Sequence, residues 1–169
     1  LAKYFPEIAE LPVLSEMPAH VAAPLIEHGS RWAWEIPGRK QSQIEAFAAA
    51  ARPADLPVLD WCAGKGHLGR LLALQWQLEV TSLEIDPILC EAGEQLAAKG
   101  RVRQKFACNN ALTVTDAFEP RQHAVALHAC GDLHRRLITG GSAAGVARFD
   151  IAPCCYYRGV ADVYQPLSA

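Results

Sequence analysis

The most chemically informative part of the chain is a glycine-rich segment at residues 58–69, with the sequence VLDWCAGKGHLG. Its two leading apolar residues predict a short buried strand that runs into Asp60. Gly64, Gly66 and Gly69 follow, and leucines at positions 68, 71 and 72 predict a helix after the turn. A glycine-rich turn between a strand and a helix lets a ligand approach the main chain closely. The spacing therefore predicts a ligand-binding turn.

The acid ahead of the glycines indicates the charge of the ligand. A dinucleotide would place its pyrophosphate on the turn and on the start of the helix, where Asp60 would repel it. S-adenosylmethionine brings an ammonium and a sulfonium group instead, and a carboxylate attracts both. A P-loop does not fit, because no Gly-Lys-Ser/Thr occurs at the required spacing. We therefore expect S-adenosylmethionine as the cofactor and disfavour a dehydrogenase.

A second acid supports an adenosine-bearing ligand. Glu84 lies 20 residues beyond Gly64, at the end of the next predicted strand, where it can accept hydrogen bonds from both ribose hydroxyls. The alternative is a tight turn with a solvated acid nearby. The full set of predicted cofactor-binding residues is Asp60, Cys62, Gly64, Lys65, Gly66, His67, Glu84, Ile85, Asn109 and Asn110.

Four members of that set keep alternatives of their own. Asn109 and Asn110 follow the third predicted strand, where a side-chain amide can bind the adenine edge, but Asn is also common in plain loops. Lys65 and His67 lie inside the glycine turn, where they face either a carboxylate of the cofactor or solvent.

Alternating strands and helices are predicted to position these residues. Asp86 and Pro87 form a strong helix start, with an acid at the N-cap and proline at the first helical position. Strands are predicted at about 57–60, 79–83, 101–106, 123–128 and 149–152, and helices at about 42–51, 66–76, 87–99 and 133–138. Such alternation predicts an α/β fold of the Rossmann type: a parallel sheet, in the order 3-2-1-4-5, with helices on both faces.

The length of 169 residues suits one compact domain. We divide it into an N-terminal helical segment, residues 1–52, and a cofactor-binding core, residues 53–169. Five strands are visible, whereas a complete sheet of the common class I methyltransferase type has two more. The sheet is therefore expected to be truncated after its fifth strand.

The composition limits which cellular compartments and which partners we expect for this chain. Hydrophobic residues make up 51% of the chain and the net charge is -2, which gives no global attraction to nucleic acid. A small basic segment remains at Arg31, Arg39 and Lys40. No apolar run is long enough to span a bilayer, and no signal peptide is evident. The six cysteines follow no CxxC pattern, so we expect reduced thiols in a cytoplasmic protein.

Cysteines and a histidine gather where the first, fourth and fifth strands end. The residues there are Cys62, His128, Cys130, Asp132, Cys154, Cys155, Tyr156 and Tyr157. The thiols are either small packing residues, ligands of a zinc ion or catalytic groups. In the last case a cysteine attacks a pyrimidine ring, or His128 and Asp132 exchange protons. Asp132 also fits the N-cap of the next helix. We predict His128, Cys130 and Asp132 as catalytic, and no metal, because paired ligand spacing is absent.

Several segments taken together resemble a known family. IPGRKQSQIEAF, LDWCAGKGHLGRLLA, SLEID, LHACGDL and PCCYY are similar to the methyltransferase-domain family that includes eukaryotic tRNA ribose 2'-O-methyltransferases, methyltransferase-like proteins and bacterial relatives. The resemblance covers residues 36–158 and implies a class I S-adenosylmethionine-dependent fold, with the cofactor carried by Asp60, Gly64, Gly66 and Glu84. The chain departs from the tRNA enzymes in its CysCysTyrTyr ending, where they have CysCysHisHis, and in lacking a separate zinc-finger segment.

The expected function is a cytoplasmic methyltransferase that uses S-adenosylmethionine and acts on RNA, at a ribose 2'-oxygen or a base of tRNA or rRNA. One alternative is cytosine C5 methylation through a cysteine nucleophile. Another is a non-catalytic module that binds the cofactor or a partner. Neither DNA nor a membrane is expected as a partner.

Overall fold

A parallel five-stranded sheet forms the centre of the structure, a computed structural model that describes residues 21–155. The strands are β1 (Val58–Trp61), β2 (Val80–Glu84), β3 (Gln104–Cys108), β4 (His123–Leu127) and β5 (Arg148–Ala152). Their order is β3-β2-β1-β4-β5, so the predicted topology is confirmed. The direction of the chain order reverses between β1 and β4, and ligands of such sheets bind at the carboxyl ends beside that reversal.

Within residues 21–155, four helices connect or flank the strands: α1 (Gly38–Ala50), α2 (His67–Trp76), α3 (Pro87–Gly100) and α4 (Asp132–Ala144). A 3₁₀ helix at Ser30–Ala33 precedes them. Asp86 caps α3 as predicted, since its carboxylate accepts a hydrogen bond from the Ile88 N–H at 2.8 Å. None of the helices within residues 21–155 is long and apolar enough to cross a membrane.

The central strands of the sheet are buried on both faces because alternate strand residues enter two separate apolar clusters. Val58 of β1 packs with Ile44 of α1 and Leu71 of α2 on one face. Trp61 at the end of β1 packs with Leu137 of α4 on the other face. This double burial explains why β1 and β4 are nearly continuous apolar runs.

Several predicted boundaries and caps were wrong, including the start of α1, which was expected at residue 42 and lies at Gly38. The third strand begins at Gln104 instead of 101, because Arg101 adopts a left-handed conformation with φ of 52° and ends α3. Asp132 is not the N-cap of α4; Gly131 holds that position. The same helix runs to Ala144, beyond the predicted end at 138. Its interior Gly141 lies against the Phe149 ring, where an added Cβ would come within 2.8 Å of a ring carbon.

Predictions for residues 1–20, Tyr156 and Tyr157 fall outside the described residues. The division at residues 52 and 53 stays a prediction. All six cysteines are free thiols, as expected for reduced cysteines.

Candidate functional site

The glycine turn between β1 and α2 depends on three residues with left-handed backbone. Cys62, Gly64 and Gly66 have φ of 57°, 59° and 62°. A Cβ on Gly66 would come within 2.4 Å of the Gln104 side-chain nitrogen, so only glycine fits there. A Cβ on Gly64 would meet no atom within 4 Å. The main chain at Gly64 therefore faces open space that a ligand can fill.

Glu84 lies directly beside this turn. Its Oε2 accepts a hydrogen bond from the Gly64 N–H at 2.8 Å, and its Oε1 accepts from the Ile85 N–H at 2.9 Å and the Asp86 N–H at 3.2 Å. Three main-chain donors thus orient a half-buried carboxylate at the end of β2. The structure brings Glu84 and Gly64 together as the sequence predicted.

Asp60 lies beneath the turn and not at its surface. The side chain is 2% exposed, and its Oδ2 accepts hydrogen bonds from the Gly69 N–H at 3.0 Å and the Ser82 hydroxyl at 3.2 Å. Burial raises the pKa of Asp60 to about 7, although these two hydrogen bonds and the charge of Lys40 act to lower it. Any attraction for a cationic ligand therefore acts through the turn, and direct binding by this carboxylate stays a prediction.

Lys65 and His67 have partners within the protein. The Lys65 Nζ forms an ion pair with the Glu35 Oε2 at 2.8 Å. His67 is buried, its Nδ1 lies 2.8 Å from the Arg70 Nη2, and burial together with the Arg70 charge lowers its pKa to about 4. A neutral, buried imidazole does not attract the carboxylate of a cofactor. The side chain of His67 is thus buried against Arg70 and does not face solvent, and a role in cofactor binding stays a prediction.

Arg70 is a structural residue that sequence reasoning missed. Only 1% of it is exposed, and its Nε and Nη2 donate to the main-chain oxygen of Trp32 at 3.1 and 3.0 Å. This interaction fixes the N-terminal 3₁₀ helix against the start of α2. The signal in the sequence is the arginine itself, a charged residue within the leucine-rich stretch of α2.

The ends of β2 and β3 present apolar and amide groups. Ile85 is 60% exposed, and Ile88 and Leu112 are exposed as well. Asn109 and Asn110 use their side-chain oxygens to accept from the N–H groups of residues 110 and 112. Exposed apolar side chains beside Glu84 can cover a flat base. The adenine-binding role of both asparagines stays a prediction.

The predicted catalytic residues lie where β4 ends. His128 is exposed, has φ of 69°, and its Nε2 lies 3.1 Å from the Oε1 of Gln43 on α1. The Cys130 thiol donates to the His128 main-chain oxygen at 3.2 Å. Asp132 opens α4 and lies 3.9 Å from the Arg135 guanidinium. The structure thus brings His128 and Cys130 together and gives Asp132 a partner on its own helix.

The thiols at this edge have different environments. Cys62 is half-buried, and burial together with the charges of Glu84 and Asp60 raises its pKa to about 12. It also packs against the apolar cluster that contains Trp61. Cys62 is therefore a protonated packing residue at neutral pH, whereas Cys130 lies among other thiols.

Comparisons with known proteins identify a family and a shared fold. A family model described as a methyltransferase domain matches residues 39–160. A Xenopus laevis protein, described as glutathione S-transferase C-terminal domain-containing protein, is 32% identical over 124 residues. That match covers 70% of this chain and 19% of the relative, so the chain spans about a fifth of the relative's length.

Two solved structures share the fold. The YcgJ protein of Bacillus subtilis is 17% identical with a TM-score of 0.50, over 62% of this chain and 47% of that chain. The tRNA (uracil-54, C5)-methyltransferase of Pyrococcus abyssi, in complex with S-adenosyl-L-homocysteine, is 16% identical with a TM-score of 0.50, over 62% and 26%. The narrower resemblance to tRNA ribose 2'-O-methyltransferases is not confirmed.

Proposed function

The chain belongs to the methyltransferase-domain family, and from that premise we propose that it transfers a methyl group from S-adenosylmethionine to RNA. The fold and the family identify the S-adenosylmethionine-dependent methyltransferases as the enzyme class. The observation that supports cofactor binding most directly is the 2.8 Å hydrogen bond between Gly64 and Glu84. It holds the Glu84 carboxylate next to main chain that faces open space, which supports Glu84 as the acid that binds the ribose hydroxyls.

Cations at the start of α1 suit the methionine end of this cofactor. Lys40 is exposed, yet its charge acts on both Asp60 and His67, which lie under the glycine turn. We assign Lys40 to the cofactor carboxylate. Arg39 beside it is also exposed and is free to face the phosphate groups of an acceptor RNA. This local basic surface supports RNA as the acceptor despite the net charge of -2.

The acceptor is assigned to the edge formed by His128 and Cys130. Methyl transfer depends mainly on in-line placement of the acceptor atom and the sulfonium. His128 is the group in this edge that can accept the acceptor's proton, and the contact with Gln43 orients its ring. The left-handed backbone of both Cys62 and His128, on adjacent strand ends, is a strained arrangement of the kind found at functional sites.

Cytosine C5 methylation is the second candidate, and one observation favours it. Burial acts to raise the pKa of Cys130, but hydrogen bonds from Cys154 and Cys155 outweigh burial and lower it. A thiolate at Cys130 would add to C6 of cytosine, C5 would take the methyl group, and loss of the C5 proton would expel the thiolate. RNA containing 5-fluorocytosine would trap this adduct, and Cys130→Ala, but not Cys108→Ala, would abolish it.

The free thiols support a reducing compartment. All six cysteines are free, and two of them are exposed. We therefore assign the activity to the cytoplasm, where such thiols persist.

Binding of S-adenosylhomocysteine tests the cofactor site. A ligand at 100 times its Kd stabilises the native state by about 2.7 kcal/mol, which thermal unfolding detects easily. Glu84→Gln keeps the shape of the side chain but removes its charge, so affinity should fall about 10- to 100-fold, the value of a charged hydrogen bond. Glu91→Gln on the exposed side of α3 is the matched control and should leave affinity unchanged.

Transfer of a labelled methyl group tests the acceptor. The full chain is incubated with labelled S-adenosylmethionine and total RNA, with and without ribonuclease. Label in RNA that ribonuclease removes supports the proposal. Binding of the cofactor without label in any RNA contradicts the RNA assignment, and absence of any stabilisation by S-adenosylhomocysteine contradicts the cofactor site itself.

A further inference from the structure

Three thiols converge where β4 and β5 end. The Sγ atoms of Cys130, Cys154 and Cys155 all lie within 4.8 Å of one another. Two of these residues are consecutive, and they converge because Pro153 follows the last residue of β5 and the chain bends at Cys154. We propose that these three cysteines bind one zinc ion, at a site separate from the cofactor turn.

The distances suit a tetrahedral ion. Zinc binds thiolates at about 2.3 Å, which places the sulfur atoms of a tetrahedral site about 3.8 Å apart. Each pair of Sγ atoms here must therefore approach by no more than about 1 Å. Rotation of exposed or half-buried cysteine side chains supplies a movement of that size.

The main chain holds the two ligand segments in register. The His128 N–H donates to the Ala152 oxygen at 3.0 Å, and the Gly131 N–H donates to the Cys155 oxygen at 3.1 Å. Gly131 has φ of 56°, which lets the chain turn directly after Cys130. The loop after β4 and the segment after β5 are thus joined on both sides of the thiols, so the ligands are preorganised.

Three neighbouring thiolates would repel one another without a cation between them. A divalent cation replaces the thiol protons and offsets that repulsion, with the released protons passing to the buffer.

The donor set favours zinc among common metals. Thiolates select soft or borderline ions over magnesium, calcium and manganese. No other His, Cys, Asp or Glu among residues 21–155 joins the three thiols within the same distance. Three protein ligands with a fourth position open to water are typical of reactive zinc sites. Zinc would also hold Cys130 as a ligand, which argues against Cys130 as the nucleophile of the second candidate function.

Native mass spectrometry of the full chain tests the site. The protein is stripped with a chelator under reducing conditions and mixed with one equivalent of zinc. We expect one zinc ion per chain, and thiolate charge-transfer absorption when cobalt(II) replaces zinc. Cys154→Ser should weaken binding by more than about 100-fold, since even the loss of a group that orients a ligand costs about 10- to 100-fold. Cys108→Ser, at an exposed cysteine outside the cluster, should bind like the wild type.

The same samples separate this proposal from the proposed function. Cys154→Ser lies outside the cofactor turn, so stabilisation by S-adenosylhomocysteine should persist after the zinc is lost. A reduced wild-type chain that takes up no zinc overturns the site, as does Cys154→Ser binding zinc as tightly as the wild type. A disulfide among the three cysteines that persists after treatment with a reductant, seen as a mass lower by two hydrogens, also overturns the site.

Discussion

Replacing Asp60 with Asn should change how stability depends on pH. Burial raises the pKa of Asp60 from 3.8 to about 7 in the native state. In the unfolded chain the same carboxyl loses its proton near pH 4. Between these values the native state binds more protons than the unfolded state, so this group makes the free energy of unfolding fall as pH rises from about 4 to about 7.

The size of the effect follows from the shift. About three pKa units at about 1.36 kcal/mol each amount to about 4 kcal/mol, as an upper limit. Asn at position 60 cannot ionise, and its side-chain oxygen can still accept from the Gly69 N–H. Relative to the wild type, the Asp60→Asn variant should therefore gain stability steadily between pH 4 and pH 8, by up to about 4 kcal/mol.

Urea unfolding at several pH values measures this difference. Asp116→Asn, at an exposed acid, is the matched control and should differ from the wild type by a constant amount. A difference between the Asp60 variant and the wild type that does not change with pH would refute the reasoning, because the carboxylate would then be solvated in the native state.

Ligand binding extends the same test to the cofactor. S-adenosylmethionine carries a sulfonium charge that S-adenosylhomocysteine lacks. Asp60→Asn should therefore weaken binding of the charged compound more than binding of the neutral one. Equal losses for both would show that the buried carboxylate orients the turn without attracting the sulfonium.

Two further substitutions test the scaffold around the site. Gly93→Ala places a Cβ within 2.1 Å of the Phe106 ring, so the free energy of unfolding in urea should fall by about 1–3 kcal/mol, even though alanine favours helix over glycine. Adding Phe106→Leu should restore part of that loss. Losses that simply add in the double variant would contradict the clash. The buried His123 lies 2.9 Å from Asp150, and hydrogen bonds from His123 and Arg148 outweigh burial and lower the pKa of Asp150. This pairing stabilises the protein above about pH 4, and the stabilisation is lost as pH falls through the lowered pKa of Asp150. In Asp150→Asn the free energy of unfolding should therefore fall less steeply as the solution is acidified. An acid unfolding curve with the same slope as that of the wild type would contradict this role of Asp150.

Much of the sheet could be predicted from the sequence because its determinants are local. Apolar runs bounded by acids and glycines mark β1 and β2, and Asp86 with Pro87 fixes the start of α3. The start of β3 could not be predicted, because Arg101 ends α3 in a left-handed conformation that its own sequence neighbourhood does not demand. The length of α4 was missed since Gly141 weakens a helix locally, while its contact with Phe149 depends on tertiary packing.

The arrangement of charged residues in the site could also be predicted only in part from the sequence. The spacing of Gly64 and Glu84 predicted their proximity correctly, because both positions follow from strand ends in a parallel sheet. The spacing did not reveal that Asp60 faces inward, since strand register, and not residue type, decides which side chains are buried. Nor did it reveal the partner of Lys65, because Glu35 approaches from a segment 30 residues away.

The cysteines at the carboxyl edge of the sheet differ in protonation because their surroundings differ. Cys62 lies against the apolar cluster and near two acids, so its thiol stays protonated. Cys130, on the adjacent strand end, instead faces two more thiols that stabilise its thiolate. The proposed cofactor at the glycine turn and the proposed zinc ion beside β5 would therefore occupy different parts of this edge. The His128 ring contacts Gln43 and follows β4, the strand between β1 and β5, which is where we propose that the acceptor binds.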